Sequence, residues 1–137
     1  MNAYIDSSVV LRIVFGEERP LAEWHLVRRA ISSVLLHVEC RRAVDRERIT
    51  SRHFEQVALY RDALMQTFET FEFIDVTDDV ISLAAQAMPI VIRTLDAIHL
   101  ATALDWQRRE RKDFVFMTHD TQLADAARRA GFDVLGV

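Results

Sequence analysis

Four acidic residues stand where carboxylate chemistry would need them: Asp6, Glu39, Asp96 and Asp120. Asp6 closes the first apolar run, Ala3 to Ile5, and leads through Ser7 and Ser8 into apolar residues at helical spacing. Glu39 follows a second run, Ser33 to Leu36, and Asp120 follows a fourth, Phe114 to Met117. Asp96 is the single charged residue of LDAIHLATAL, where an unpaired charge is costly. Carboxylates that converge without balancing cations repel one another, so such a cluster persists chiefly around a divalent ion. A ligand set made of oxygens alone favours magnesium or manganese. Each acid also has a plain structural reading, since Asp at a strand-to-helix junction often caps the helix and a first-turn Glu complements its dipole. Asp96 fits that reading least and Asp120, in THDTQLADAA, fits it best; capping and metal binding are compatible there.

The elements that must position these acids alternate along the chain. Ala3 to Ile5 predicts a strand feeding a helix that begins after the cap residues Asp6, Ser7 and Ser8. Pro20, with Leu21, Trp24 and Val27 behind it, predicts a helix to about Ala30, followed by a strand over Ser33 to Leu36. His37 to Arg48 reads as an exposed helix, and Phe54, Val57, Ala58, Leu64, Met65 and Phe68 mark one stripe of a longer one, the two forming a hairpin. Phe71 to Val76 reads as a strand, Thr77-Asp78 as a cap, and Val80 to Met88 as a helix ended by Pro89. Leu95 to Leu104, apolar on nearly every face, predicts a buried central helix followed by a charged turn, Arg108 to Lys112. Phe114 to Met117 is a strand, Asp120 caps a helix from Thr121 to Ala130 that Gly131 stops, and Phe132 to Leu135 closes the chain. Strands alternating with helices imply an α/β fold, a parallel sheet sandwiched by helices. Ligands bind such sheets beyond the carboxyl ends of the strands, the edge to which all four acids map.

A chain of 137 residues, 50% hydrophobic and 28% charged, has the size of one ordinary domain, expected to span residues 1–137. The net charge of -4 argues against a uniformly basic surface for nucleic acid. If four acids neutralise a bound ion, however, the remainder carries no net charge, and 16 of the 17 basic residues are Arg, whose planar fork suits phosphate. A lone cysteine, Cys40, excludes an internal disulfide and reads as a partly buried free thiol in a reducing compartment. The five His show no ligand pair at helical spacing, which sets zinc aside. The amino terminus has no secretory pattern and no stretch approaches 18 apolar residues, so a cytoplasmic location is expected. No G-x-G-x-x-G supports a dinucleotide site. Phosphoryl transfer through Asp6 is disfavoured because position 8 is Ser, not a second acid, and the single Lys112 lies in a charged turn.

YIDSSVV, HVECRRA, RTLDAIHLATAL and the closing FVFMTHDTQLADAARRAGFDVLGV resemble the four acidic motifs of PIN domains, in order and over essentially the whole chain. Among PIN proteins the chain is most similar to the VapC-type toxins of toxin-antitoxin pairs. The resemblance implies a parallel sheet of strand order 3-2-1-4-5, endoribonuclease activity dependent on Mg2+ or Mn2+, and inhibition by a cognate VapB-like antitoxin. Asp6, Glu39, Asp96 and Asp120 match the acidic quartet, Thr118 the hydroxyl residue before the last acid, and Ser7 or Ser8 the hydroxyl beside the first. An ion held by these acids would activate water against an RNA phosphodiester, with no covalent enzyme nucleophile.

Around that quartet, His99 is expected to make a structural polar contact and His119 to lie at the surface. Arg12, Arg41, Arg42 and Arg93 adjoin the acids and are candidates for holding RNA phosphates. The stripe of Phe54, Val57, Leu64 and Phe68 offers more apolar surface than a small sheet needs, from which a homodimer is expected. Two further functions stay open: a housekeeping PIN nuclease for RNA maturation, and a non-catalytic binding module acting with an antitoxin.

Overall fold

The computed structural model describes residues 1–18, 21–50 and 54–137; Pro20 and the side chain of Phe54 lie outside the described residues. Five strands, β1 (Asn2–Ile5), β2 (Arg29–Ser33), β3 (Phe71–Ile74), β4 (Val115–Met117) and β5 (Asp133–Leu135), form one sheet in the order β3-β2-β1-β4-β5. Every neighbouring pair is parallel, as the resemblance implies. Helices α1 (Ser7–Val14), α2 (Leu35–Thr50), α3 (Phe54–Phe68), α4 (Asp78–Ala84), α5 (Thr94–Glu110) and α6 (Thr121–Arg129) cover the sheet, with one 3-10 turn at Ala22–Leu26.

Strand alternation decides which layer each side chain joins. Ala3 and Ile5 of β1 point to one face, where Val9, Val10, Leu36, Val44, Val57 and Leu64 of α1, α2 and α3 close over them. Tyr4 points to the other, joining Leu100, Ala103 and Trp106 of α5 and Leu123 and Ala126 of α6. Both faces of the central strands are therefore buried, as parallel sheets require. No helix among the described residues is long and apolar enough to cross a membrane.

Several boundaries depart from the sequence expectations. The helix expected to reach Ala30 gives way to the short 3-10 turn, and β2 runs over Arg29–Ser33 where the sequence suggested Ser33 to Leu36. Tertiary pairing overrides local pattern here: Ala30 and Ile31 are buried beside β1, and Arg29 grips Glu72 of β3 through Nε at 2.6 Å and Nη2 at 2.7 Å. Leu35 and Leu36 belong to the first turn of α2, with Leu36 fully buried. Helix α4 stops at Ala84, before Met88; residues 85–93 run on as a loop whose Met88, Ile90 and Ile92 pack against the second core. Helix α5 extends beyond Leu104 because Trp106 packs edge-on against Phe114 at 5.0 Å. Much of the expected charged turn is thus its last turn, ended by Arg111 in the left-handed conformation at φ 52°. The stripe on α3 is not spare surface either: Val57, Leu64 and Phe68 are buried within the chain's own core, which removes that basis for a dimer.

Candidate active site

Helices α1, α5 and α6 begin at the carboxyl edge of the sheet with an acid in their opening turn or at their cap. Asp6 caps α1, its backbone extended at φ -83° and ψ 156°. Its Oδ2 accepts from Ser8 N at 3.2 Å, Ser8 Oγ at 2.5 Å and Thr118 Oγ1 at 2.9 Å. Asp120 caps α6, its Oδ1 taking the amides of Gln122 and Leu123, both at 2.9 Å. Asp96 lies in the first turn of α5, and Glu39 projects from α2 one turn after β2. These four acids line one cleft of about 400 Å³ together with Ser7, Ser8, Leu11, Arg93, Thr94 and Leu95.

The hydroxyls at the cleft tie its acids to one another. Thr118 donates to Asp6 and accepts from the Asp120 amide at 3.0 Å, and Ser8 accepts the His119 amide at 2.9 Å. Between the two serines beside the first acid, Ser8 carries the hydrogen bonds to Asp6. Ser7 only lines the cleft.

Glu39 is anchored from beneath. His99, fully buried in α5, meets Glu39 Oε2 through Nε2 at 2.5 Å, and its Nδ1 faces Tyr4 Oη at 2.9 Å. A carboxylate only accepts, so Nε2 carries the proton; the hydroxyl beyond Nδ1 can donate or accept, which satisfies the ring whether neutral or charged. Burial by itself would hold the imidazole below its usual pKa, but the bond to Glu39 and the charges of Glu39, Asp6 and Asp96 carry it above. Tyr4 in turn accepts the Ser33 amide at 3.2 Å. Sequence reasoning gave His99 a polar contact but missed Tyr4. The signal was period-2 alternation, which turns Tyr4 away from Ala3 and Ile5 toward the layer that holds His99.

Asp96 is 8% exposed. Burial, above all, pushes its carboxyl above the usual carboxylate range; Arg93 opposes this, while Asp120 and Asp6 add to it. Arg93, a candidate for holding phosphate, instead contacts two of the acids, reaching Asp96 Oδ2 through Nε at 3.0 Å and Asp120 Oδ2 through Nη2 at 2.8 Å. The other candidate arginines do not contact the acids: Arg12 pairs with Glu17 at 3.4 Å, Arg42 with Asp45 at 3.4 Å, and Arg41 lies over the Phe68 ring. His119 is half-buried rather than at the surface, its Nδ1 bonded to the Gly136 carbonyl at 2.7 Å. Cys40 is fully buried, and burial together with Glu39 and Asp6 pushes its thiol pKa far up.

The donor set suits a hard cation. Among the described residues, one oxygen of each of Asp6, Glu39 and Asp96 is anchored by protein while Oδ1, Oε1 and Oδ1 respectively have no hydrogen-bond partner. With Arg93 on two of the acids, no three His, Cys, Asp or Glu side chains among the described residues stand close enough to enclose an ion. The guanidinium marks where positive charge is accommodated between α5 and α6.

Comparison with known proteins finds a family match and a shared fold. The PIN domain family pattern matches residues 3–129. The chain is 30% identical over 135 residues to "Ribonuclease VapC46" of Mycobacterium tuberculosis (strain ATCC 25618 / H37Rv), a match that covers 96% of this chain and 95% of the relative. It is 29% identical over 136 residues to "Ribonuclease VapC47" of Mycobacterium tuberculosis (strain CDC 1551 / Oshkosh), covering 94% and 92%. Among solved structures, VapBC2 from Rickettsia felis bound to a DNA fragment from their promoter shares the fold, with a TM-score of 0.68 at 9% identity over 98% of this chain and 97% of that one.

Proposed function

The chain belongs to the PIN-domain family, and from that premise we propose that it is an RNA-cleaving hydrolase acting as the toxin of a toxin-antitoxin pair. In this reading residues 1–137 act as one domain in the cytoplasm, with Mg2+ or Mn2+ held by Asp6, Glu39, Asp96 and Asp120. The observation that carries it is the division of labour within the carboxylates: protein hydrogen bonds fix one oxygen of Asp6, Glu39 and Asp96 and leave the other unengaged. When bound, the ion supplies Lewis acidity toward a phosphodiester and toward water.

The chain's own residues supply the rest. Ser8 and Thr118 hold Asp6, and His99 backed by Tyr4 holds Glu39, so neither carboxylate needs to reorganise on binding. The hydroxyl of Ser8 donates to Asp6 and accepts the His119 amide, which gives it a positioning role at that carboxylate. The amino ends of α1, α5 and α6 converge on the cleft, and their partial positive charge draws a phosphate group toward acids that would otherwise repel it. Arg12, Arg41 and Arg42 stand outside the cleft lining, where they would meet RNA phosphates farther along a strand.

A small protein antitoxin is part of the same proposal, by analogy with the named relatives. Val38, Ile49, Leu59 and Met65 of α2 and α3 are 60 to 73% exposed and give it apolar surface to cover. Expression of the chain alone in a bacterial host is expected to arrest growth, co-expression of the small protein encoded beside it to restore growth, and Asp96→Asn to be harmless. Equal growth of cells carrying wild type and Asp96→Asn would overturn the toxin reading.

A further inference from the structure

Arg93 is the last residue before α5, an unfavourable place for a cation. The amino end of a helix carries partial positive charge, which favours Ser, Asp or Asn there and opposes Arg. Arg93 makes no side-chain cap, its backbone lying at φ -68° and ψ 159°. Burial does not hold it either, since its side chain is 74% exposed. Its guanidinium is held by two acids from different helices, one oxygen of each: Asp96 Oδ2 at 3.0 Å and Asp120 Oδ2 at 2.8 Å.

We propose that Arg93 is the resident counter-ion of the metal-free site, a built-in competitor that a divalent cation must displace from Asp96 and Asp120. The inference rests on the metal-dependent reading above and concerns what that reading leaves open: how two converging acids are kept together before the ion arrives. Asp120 decides the matter. Its Oδ1 is committed to the amides of Gln122 and Leu123, so the oxygen left for an ion is Oδ2, the one Arg93 engages. Asp96 keeps Oδ1 without a protein partner among the described residues, yet its Oδ2 belongs to the same fork. A guanidinium and a divalent ion cannot share those oxygens without strong like-charge repulsion at a few ångströms.

Displacement is also inexpensive. Ion pairs to an exposed side chain contribute little, and the long stem of Arg93 lets its head turn to water without disturbing any packed group. Arg93 is thus strong enough to hold Asp96 and Asp120 together and weak enough to yield. The fork is fixed by topology: Asp96 lies three residues along the same helix, whereas Asp120 is brought in by the sheet, through the capping of α6.

Two measurements on the full chain test this. Removing the guanidinium in Arg93→Gln is expected to tighten Mn2+ binding, followed by electron paramagnetic resonance, by roughly two- to fivefold, since a largely exposed bridge is worth no more than about that factor. Loss of one nearby charge would also tighten binding, so the second readout is the Arg93 Nε–H resonance, assigned by its loss in Arg93→Gln. It is expected to exchange slowly with water in metal-stripped protein and to lose that protection as Mg2+ is titrated. An Nε–H signal unchanged at saturating Mg2+, or equal Mn2+ affinity in wild type and Arg93→Gln, overturns the displacement while leaving metal binding intact. Absence of Mn2+ binding by either protein overturns the metal-dependent reading and the displacement with it.

Discussion

Asp96→Asn is expected to lower RNA cleavage by about 10²- to 10³-fold, the scale at which single groups of preorganised electrostatic sites act, without unfolding the protein. The carboxylate of Asp96 is poorly solvated and faces Asp120 and Asp6, so an amide of the same shape relieves a charge that burial disfavours. Against this stands the loss of the bridge to Arg93, which is largely exposed and contributes little. The metal-free variant should therefore unfold within about 1 kcal/mol of wild type, on either side. The pH dependence follows from the sign of the shift. A carboxyl whose pKa is raised on folding favours the folded state when protonated, and that contribution is lost as pH rises through the raised value. Metal-free wild type should thus gain stability on acidification through that window, and Asp96→Asn should lack this slope. Magnesium should raise the melting temperature of wild type and much less that of the variant. Paired thermal unfolding and cleavage measurements check all of this; a variant that melts far below wild type and is indifferent to magnesium would make Asp96 a structural residue.

Gly136→Ala should cause a comparably large effect on stability, about 3 kcal/mol or more. Gly136 has φ 108°, and an added Cβ would stand 2.3 Å from the Thr118 carbonyl oxygen, a backbone atom that cannot turn aside. The segment is clamped by Thr118 N to Leu135 O at 3.1 Å and by His119 Nδ1 to Gly136 O at 2.7 Å. Any shift that relieves the contact moves Thr118, whose hydroxyl holds Asp6, so cleavage should fall as well. Gly131→Ala, at φ 98° but with open space around it, isolates the conformational part and should cost only about 1 kcal/mol. Urea denaturation of the two variants provides the comparison, and a Gly136→Ala protein as stable as Gly131→Ala would show that the close approach to Thr118 does not constrain the site.

The acids were legible in the sequence because the physics that places them is local. Asp6 and Asp120 follow apolar runs and precede helices, so capping chemistry alone put them at the edge of a parallel sheet. Asp96 stood out as the lone charge of an apolar helix. What was hidden depends on partners distant in the chain. Strand β2 is built from Arg29, Ala30, Ile31, Ser32 and Ser33, whose small and polar residues carry no strand signature; Ser32 belongs there because its hydroxyl donates to the Ile5 carbonyl at 2.7 Å. The stripe of Val57, Leu64 and Phe68 looked like free apolar surface because nothing local shows that β1, α1 and α2 will cover it. His119 alternates toward the surface by strand period, but β4 ends at Met117 and the chain turns, leaving the ring against Gly136. For Arg93 the three-residue spacing to Asp96 was readable, whereas the grip on Asp120 arises only when α5 and α6 meet beyond the sheet.

Metal-dependent cleavage of RNA by these carboxylates is tested most directly by incubating purified, metal-stripped protein with single-stranded and looped RNA. Cleavage is expected to be absent in excess EDTA and to return when Mg2+ or Mn2+ is restored, because every inferred ligand is a hard oxygen. Undiminished cleavage in EDTA, or none on any of these RNAs with either ion present, would contradict it.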